Sequence, residues 1–140
     1  MSKRAYLDHL RSNRLFADLT QKELQKVAAA GTEVTVPAGT VVMEQGSSGR
    51  SAIVLLDGSM VVRRNGRKIH TMSAGDVAGE MSLLDTAPRS ATIVAESDCL
   101  VLEIAGAEFR RVLDEVPAVT HKLLTTMAAR VRDLDTAVLG

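Results

Sequence analysis

Hydrophobic and polar positions along the chain change rhythm twice. In the first third, Tyr6, Leu7 and Leu10 form a short helical stripe, followed by Leu15-Phe16. Next comes Leu19-Thr20-Gln21-Lys22-Glu23-Leu24, which reads as a helix start. Thr20 can accept from a first-turn amide while Glu23 reaches back to the cap, and Leu19 and Leu24 stand where a hydrophobic staple closes the entry. Gly31, after Ala28-Ala29-Ala30, is a natural stop.

From about residue 32 to 105 the period becomes that of strands. Apolar runs recur at Val34–Val36, Thr40–Met43, Ala52–Leu56, Met60–Val62, Ile69–Met72, Ala91–Ala95 and Leu100–Ile104. Turn residues separate them: Pro37-Ala38-Gly39, Gly46-Ser47-Ser48-Gly49, Asp57-Gly58, Asn65-Gly66 and Ala74-Gly75-Asp76. Asn-Gly and Asp-Gly favour the positive φ of tight hairpins. Short strands at this spacing predict a barrel, sandwich or jelly roll. Helical spacing returns at Phe109, Val112, Leu113 and Val116, and Pro117 interrupts it. A last helix is expected from about Ala118 onward, with Leu124, Met127, Val131, Leu134 and Val138 alternating three and four apart over about two heptads. That seam either lies on its own barrel or pairs with a second copy. The reading is a single domain over 1–140: helices in 1–31, a β-roll in 32–105 and helices in 106–140.

Composition changes this picture little. A chain of 140 residues, 46% hydrophobic and 24% charged, has the balance of a globular domain able to bury a core. Aromatics are 2%, so the core is aliphatic. Seventeen basic residues balance seventeen acidic ones, and no basic face marks a nucleic-acid binder. The cluster Arg63-Arg64-Asn65-Gly66-Arg67-Lys68 straddles a turn and reads as a solvated hairpin tip. Cys99, inside an apolar run, reads as a small buried hydrophobe. With no disulfide framework, signal peptide or membrane span, a reducing cytoplasm is expected. Nor is there a metal-ligand spacing, nucleophile elbow or Walker-type loop, and His9, His70 and His121 are scattered and read as satisfied or solvent-facing. No catalytic residue, metal or cofactor is assigned, and the chain is expected not to be an enzyme.

One stretch breaks the strand-turn pattern: Gly79-Glu80-Met81-Ser82-Leu83-Leu84-Asp85-Thr86-Ala87-Pro88-Arg89-Ser90-Ala91-Thr92. One helical turn, Ser82 to Leu84, is expected before Pro88, with first-turn amides open to an anion. Gly79 lets a ligand approach the backbone. Arg89 is placed to return a guanidinium whose fork holds two phosphate oxygens, and Ser90 adds a hydroxyl. Glu80 suits a sugar hydroxyl. These groups describe a pocket for a phosphate diester on a ribose; the plainer alternative is a loop salt bridge between Glu80 and Arg89.

This run, 79–92, resembles the phosphate-binding cassette of the cyclic-nucleotide-binding domain family, the family of catabolite activator proteins, kinase regulatory subunits and cyclic-nucleotide-gated channels. The resemblance runs from about Leu15 to Leu134, including Gly39, Gly46 and Gly58 in the glycine-punctuated strands. It implies a mainly β fold, a β-roll of jelly-roll type flanked by helices. It also implies that Glu80 accepts from the ribose 2′-hydroxyl while the Gly79 backbone lies on the ribose. Arg89 would neutralise the cyclic phosphate, with Ser90 and the amides near Met81 and Ser82 completing the cage. The C-terminal helix would cover the base, with Arg132, Leu134, Asp135 and Thr136 as lid candidates, and would often form a homodimer interface.

Departures from the family pattern are Val77-Ala78, where relatives often carry an aromatic before Gly-Glu, and the aliphatic Ala52–Leu56. Ser90 fits either ligand: a hydroxyl there accompanies cGMP preference in eukaryotic relatives, yet bacterial cAMP regulators also carry serine. The expected ligand is cAMP, with cGMP as the other candidate. The expected function is a sensor that signals occupancy through its C-terminal helix; the alternative is a dimerisation module that no longer binds nucleotide. No DNA reader, kinase or channel segment is visible, so an effector partner or a removed C-terminal effector domain is implied. Met1 reads as a natural start. Neither nucleic acid nor membrane is an expected partner of this chain.

Overall fold

The computed structural model describes residues 3–13 and 15–139, with side chains over 7–13, 15–129 and 131–133. Two helices, α1 (Lys3–Arg11) and α2 (Gln21–Ala29), precede eight strands: β1 (Thr32–Val36), β2 (Val41–Met43), β3 (Ser51–Asp57), β4 (Met60–Arg64), β5 (Arg67–Met72), β6 (Val77–Ala78), β7 (Thr92–Ala95) and β8 (Cys99–Ala105). A short helix, α3 (Glu80–Asp85), lies between β6 and β7, and α4 (Gly106–Glu115) and α5 (Pro117–Leu139) close the chain. The strands form two antiparallel four-stranded sheets, ordered β1-β8-β3-β6 and β2-β7-β4-β5. This is the expected roll with flanking helices.

The capping box of α2 is present in full: the Thr20 hydroxyl accepts from the Glu23 amide and the Glu23 carboxylate accepts from the Thr20 amide. Leu19 and Leu24 are both buried beside it. Gly31 follows the helix for a reason of space, since a Cβ there would lie 2.5 Å from Leu102 Cδ1.

Two apolar clusters share the central strands. Ile53 and Leu55 of β3 and Cys99 and Val101 of β8 point into the roll with Val36, Met43, Met60, Met72, Ile93 and Ala95. Their neighbours Ala52, Val54, Leu56, Leu102 and Ile104 point outward, beneath α1, α2, α4 and α5. That is why Ala52–Leu56 is apolar without alternation: both faces of the strand are covered. Phe16 and Phe109, each 1% exposed, anchor the helical layer to that outer face.

Asn65 and Gly66 sit at φ 53° and 79° in the β4–β5 hairpin, as expected. Asp57-Gly58 differs. It joins β3 in one sheet to β4 in the other, so it turns a corner and closes no hairpin. Gly58 serves there because a Cβ would press on Asp98 O and Cys99 Sγ, both at 2.7 Å. Strand β6 has no counterpart in the sequence reading, being two residues long.

Candidate functional site

The stretch from Gly79 to Ser90 folds over one end of the roll. Gly79, at φ 87°, turns the chain from β6 into α3, which begins at Glu80, two residues earlier than expected. The fold by itself requires glycine at 79. A Cβ there would meet Arg89 Nη1 at 2.5 Å, Met43 Cε at 2.7 Å and Ser51 O at 2.9 Å, so the vacant space is filled by the protein's own arginine.

Arg89 returns to the same point, as the sequence implied. Its side chain is buried, with Nη1 donating to Gly79 O at 3.0 Å and Nη2 to Ser51 O at 2.6 Å. Burial draws its pKa below the ordinary value, and the negative charge of Glu80 opposes that shift. The two carbonyls offset the desolvation and fix the plane of the fork. The backbone is held as firmly: Arg89 N donates to Ser47 O at 2.8 Å, and Arg89 O accepts from Gly46 N at 2.9 Å. The 44–50 segment is therefore part of the site, and Gly49 is its closest element. A Cβ at 49 would lie 2.6 Å from Ser82 Cβ and 2.9 Å from Arg89 Cζ. No sequence signal singles out Gly49, because the restriction comes from residues more than 30 positions away.

Glu80 and Ser82 are buried alongside Arg89, while Met81 and Ser90 are exposed. All of these, with Gly79, line a cleft of about 630 Å³. Val62 and Arg64 of β4, His70 and Met72 of β5, Met43 and Ile93 line the same cleft. Arg64 Nε donates to Ser90 O at 3.0 Å, tying β4 to the cassette. A second cleft of about 420 Å³ shares Asn13, Asp76, Val77 and Glu80 with the first and is closed by Leu123, Thr126 and Met127 of α5. These α5 residues approach Glu80, and sequence reasoning had placed lid candidates further along. Arg132 is exposed and lines neither cleft; the side chains of Leu134, Asp135 and Thr136 lie outside the described residues. Among the described residues no group of His, Cys, Asp and Glu is arranged to hold a metal ion. No described helix is long and apolar enough to cross a membrane.

The fold and site together define a class: a β-roll of two antiparallel sheets whose cassette holds a buried arginine, a carboxylate and a serine over one cleft. Residues 33–116 match the model of the cyclic nucleotide-binding domain, and the chain belongs to that family. It is 28% identical over 129 residues to the Pycsar effector protein XpPycTIR of Xanthomonas perforans, covering 86% of this chain and 43% of that protein. It is 36% identical over 107 residues to a cAMP-dependent protein kinase regulatory subunit of Blastocladiella emersonii, covering 73% of this chain and 27% of that one. Among solved structures, the Thermus thermophilus catabolite activator protein superposes with a TM-score of 0.84 at 27% identity, over 90% of this chain and 62% of that one. The chain spans less than half the length of these curated relatives.

Proposed function

We propose that this domain binds a cyclic nucleotide, cAMP before cGMP, and passes occupancy to an effector through α5. The observation that carries the reading is Arg89: a buried guanidinium, oriented by Gly79 O and Ser51 O, at a cleft it shares with Glu80 and Ser82. Desolvating a cation this way is costly unless it is compensated, and a phosphate brought to it meets a pre-oriented partner in a low-dielectric setting. In this reading Arg89, Ser82, Ser90 and the amides near Met81 hold the cyclic phosphate, while Glu80 and the Gly79 backbone meet the ribose.

The second cleft supports the transmission part of this reading. Glu80 borders both cavities, so a ribose drawn to Glu80 alters the surface that Leu123, Thr126 and Met127 face. A ligand that contacts one placement of α5 better than another shifts the balance between them, and this coupling is what an effector senses. The regulatory subunits among the relatives agree with a sensor whose output lies in another segment or partner.

Calorimetric titration of the chain with cAMP and with cGMP, beside Arg89→Lys, tests the reading. Lysine keeps the charge but loses the planar fork. Saturable binding that weakens at least about tenfold in Arg89→Lys is the expected result. Absence of heat with either nucleotide would overturn it and leave a dimerisation module that has lost its ligand.

A further inference from the structure

Gln45 is exposed, yet its backbone amide and both ends of its side chain are committed. Gln45 N donates to Thr92 Oγ1, Oε1 accepts from Asn65 N and Nε2 donates to Asn65 Oδ1, each at 2.9 Å. A backbone N–H can only donate, so Asn65 N fixes which end of the Gln45 amide is oxygen. Asn65 stands at φ 53°, a conformation asparagine tolerates, and it supplies the Oδ1 that glycine would lack. Two bonds between exposed groups add little to folding, because water replaces them. Holding a long side chain in one rotamer costs entropy besides. A folding role therefore explains this pairing poorly.

What the pair joins is more telling. Gln45 is followed by Gly46 and Ser47, where Gly46 N donates to Arg89 O at 2.9 Å and Ser47 O accepts from Arg89 N at 2.8 Å. Asn65 is preceded by Arg64, whose Nε donates to Ser90 O at 3.0 Å. These contacts close a ring. It runs from Gln45 to Asn65, along the hairpin to Arg64, across to Ser90, along the cassette to Arg89, and back through Gly46. Within their sheet β2 and β4 are not neighbours, since β7 lies between them. The loop after β2 grips Arg89 and the tip after β4 grips Ser90, and the Gln45–Asn65 pair ties those two grips together directly. Gly79 O and Ser51 O set the plane of the Arg89 fork, whereas the ring sets the backbone from which that fork and the Ser90 hydroxyl extend.

We propose that Gln45, acting through Asn65, is a positioning residue of the phosphate site. It fixes Arg89 and Ser90 relative to each other, and so decides which exocyclic phosphate oxygen each of them meets. The inference rests on the ligand-binding reading above and adds to it a control on phosphate geometry from outside the cassette. A fork held in one place distinguishes the two oxygens of a cyclic phosphate; a fork that drifts does not.

The test titrates the full chain with cAMP and with its two phosphorothioate forms, in which sulfur, a weaker acceptor, replaces one or the other exocyclic oxygen. The ratio of the two phosphorothioate affinities reports phosphate position, whereas a loss of fold stability lowers both alike. The wild type is expected to prefer one form by at least about tenfold. Gln45→Ala and Asn65→Gly should each shrink that ratio about three- to tenfold, the worth of one hydrogen bond, with melting temperatures close to wild type. Asn65→Asp keeps both the N–H and an acceptor oxygen and should preserve the ratio. Arg67→Ala, on the same hairpin but outside the ring, should leave it unchanged. An unaltered ratio in Gln45→Ala, an equal loss for both forms, or an Arg67→Ala effect as large would each overturn the positioning role and leave nucleotide binding standing. A wild type that binds the two forms alike would do the same. Binding of neither form nor of cAMP by the wild type would overturn both readings.

Discussion

The cassette and the C-terminal helix are both needed for a sensor, yet they are built in opposite ways. Between Gly79 and Ser90 the polar groups that matter are locked: Arg89 has partners at Ser51 of β3 and at Gly79 ahead of α3, its backbone is paired with the 46–47 turn, and Arg64 holds Ser90. Along α5 the attachment thins out. Val119 and Leu123 are buried in the helical layer and Met127 packs against it, whereas Leu124 and Val131 are 62% and 57% exposed. At the base of the helix, Thr120 Oγ1 donates to Leu113 O at 2.7 Å, bridging the break at Pro117. A firmly held cassette beside a helix whose described buried side chains lie in its first turns suits the proposed sensor, because binding energy would then go into moving the helix and not into forming the cage.

The contrast can be broken most severely at Arg89. Arg89→Ala removes the cation and leaves Gly79 O and Ser51 O without their donors, so nucleotide affinity should fall about a hundredfold or more, with stability lowered by about 1–3 kcal/mol. Calorimetry and thermal melting together separate the two losses. Retained affinity would show that the cage does not depend on this residue.

Leu123→Ala comes next. It truncates a buried side chain of α5 beside the second cleft, at a cost of about 2–3 kcal/mol in urea unfolding. If α5 is the moving part, nucleotide affinity in the same variant should change as well, although the cassette is untouched. A stability loss with affinity unaltered would uncouple the helix from the site.

Gly49→Ala sharpens the comparison from the other side. The added methyl presses on Ser82 and Arg89, so affinity should fall by about tenfold, a loss of about 1.4 kcal/mol that overpacking readily supplies. Equal affinity in Gly49→Ala would mean that the loop yields without disturbing the cage.

The smallest effect on folding is expected at the exposed face of α5. Leu124→Ser with Val131→Ser should alter monomer stability by no more than about 0.5 kcal/mol per site. Sedimentation of the same double variant decides whether that face pairs with a second copy: a wild-type dimer that becomes monomeric supports the seam, and a wild type that is already monomeric removes it.

Much of this molecule was legible along the chain because its signals are short-range. The capping box at Thr20 and Glu23, the Asn65-Gly66 turn, the strand period and the 79–92 run each depend on residues within a few positions of one another. The helix start at Glu80 was misjudged by two residues because Gly79 caps it through a positive φ and no side-chain cap marks the spot. Asp57-Gly58 carried a hairpin signal but serves a corner between sheets, since local turn chemistry does not say which strand comes next in space.

By itself, then, the sequence determined the order and kind of the elements other than β6, the family and the identity of the charged cassette residues. Tertiary structure alone decided who holds them. Arg89 is oriented by Ser51, 38 positions away, and given room by Gly49, where a Cβ would press on its guanidinium. The residues of α5 that approach Glu80, Leu123, Thr126 and Met127, were likewise settled by how the helix packs. The physical reason is that helix and turn signals act within one or two turns of chain, whereas these contacts arise only when two sheets close over one another in a fixed register.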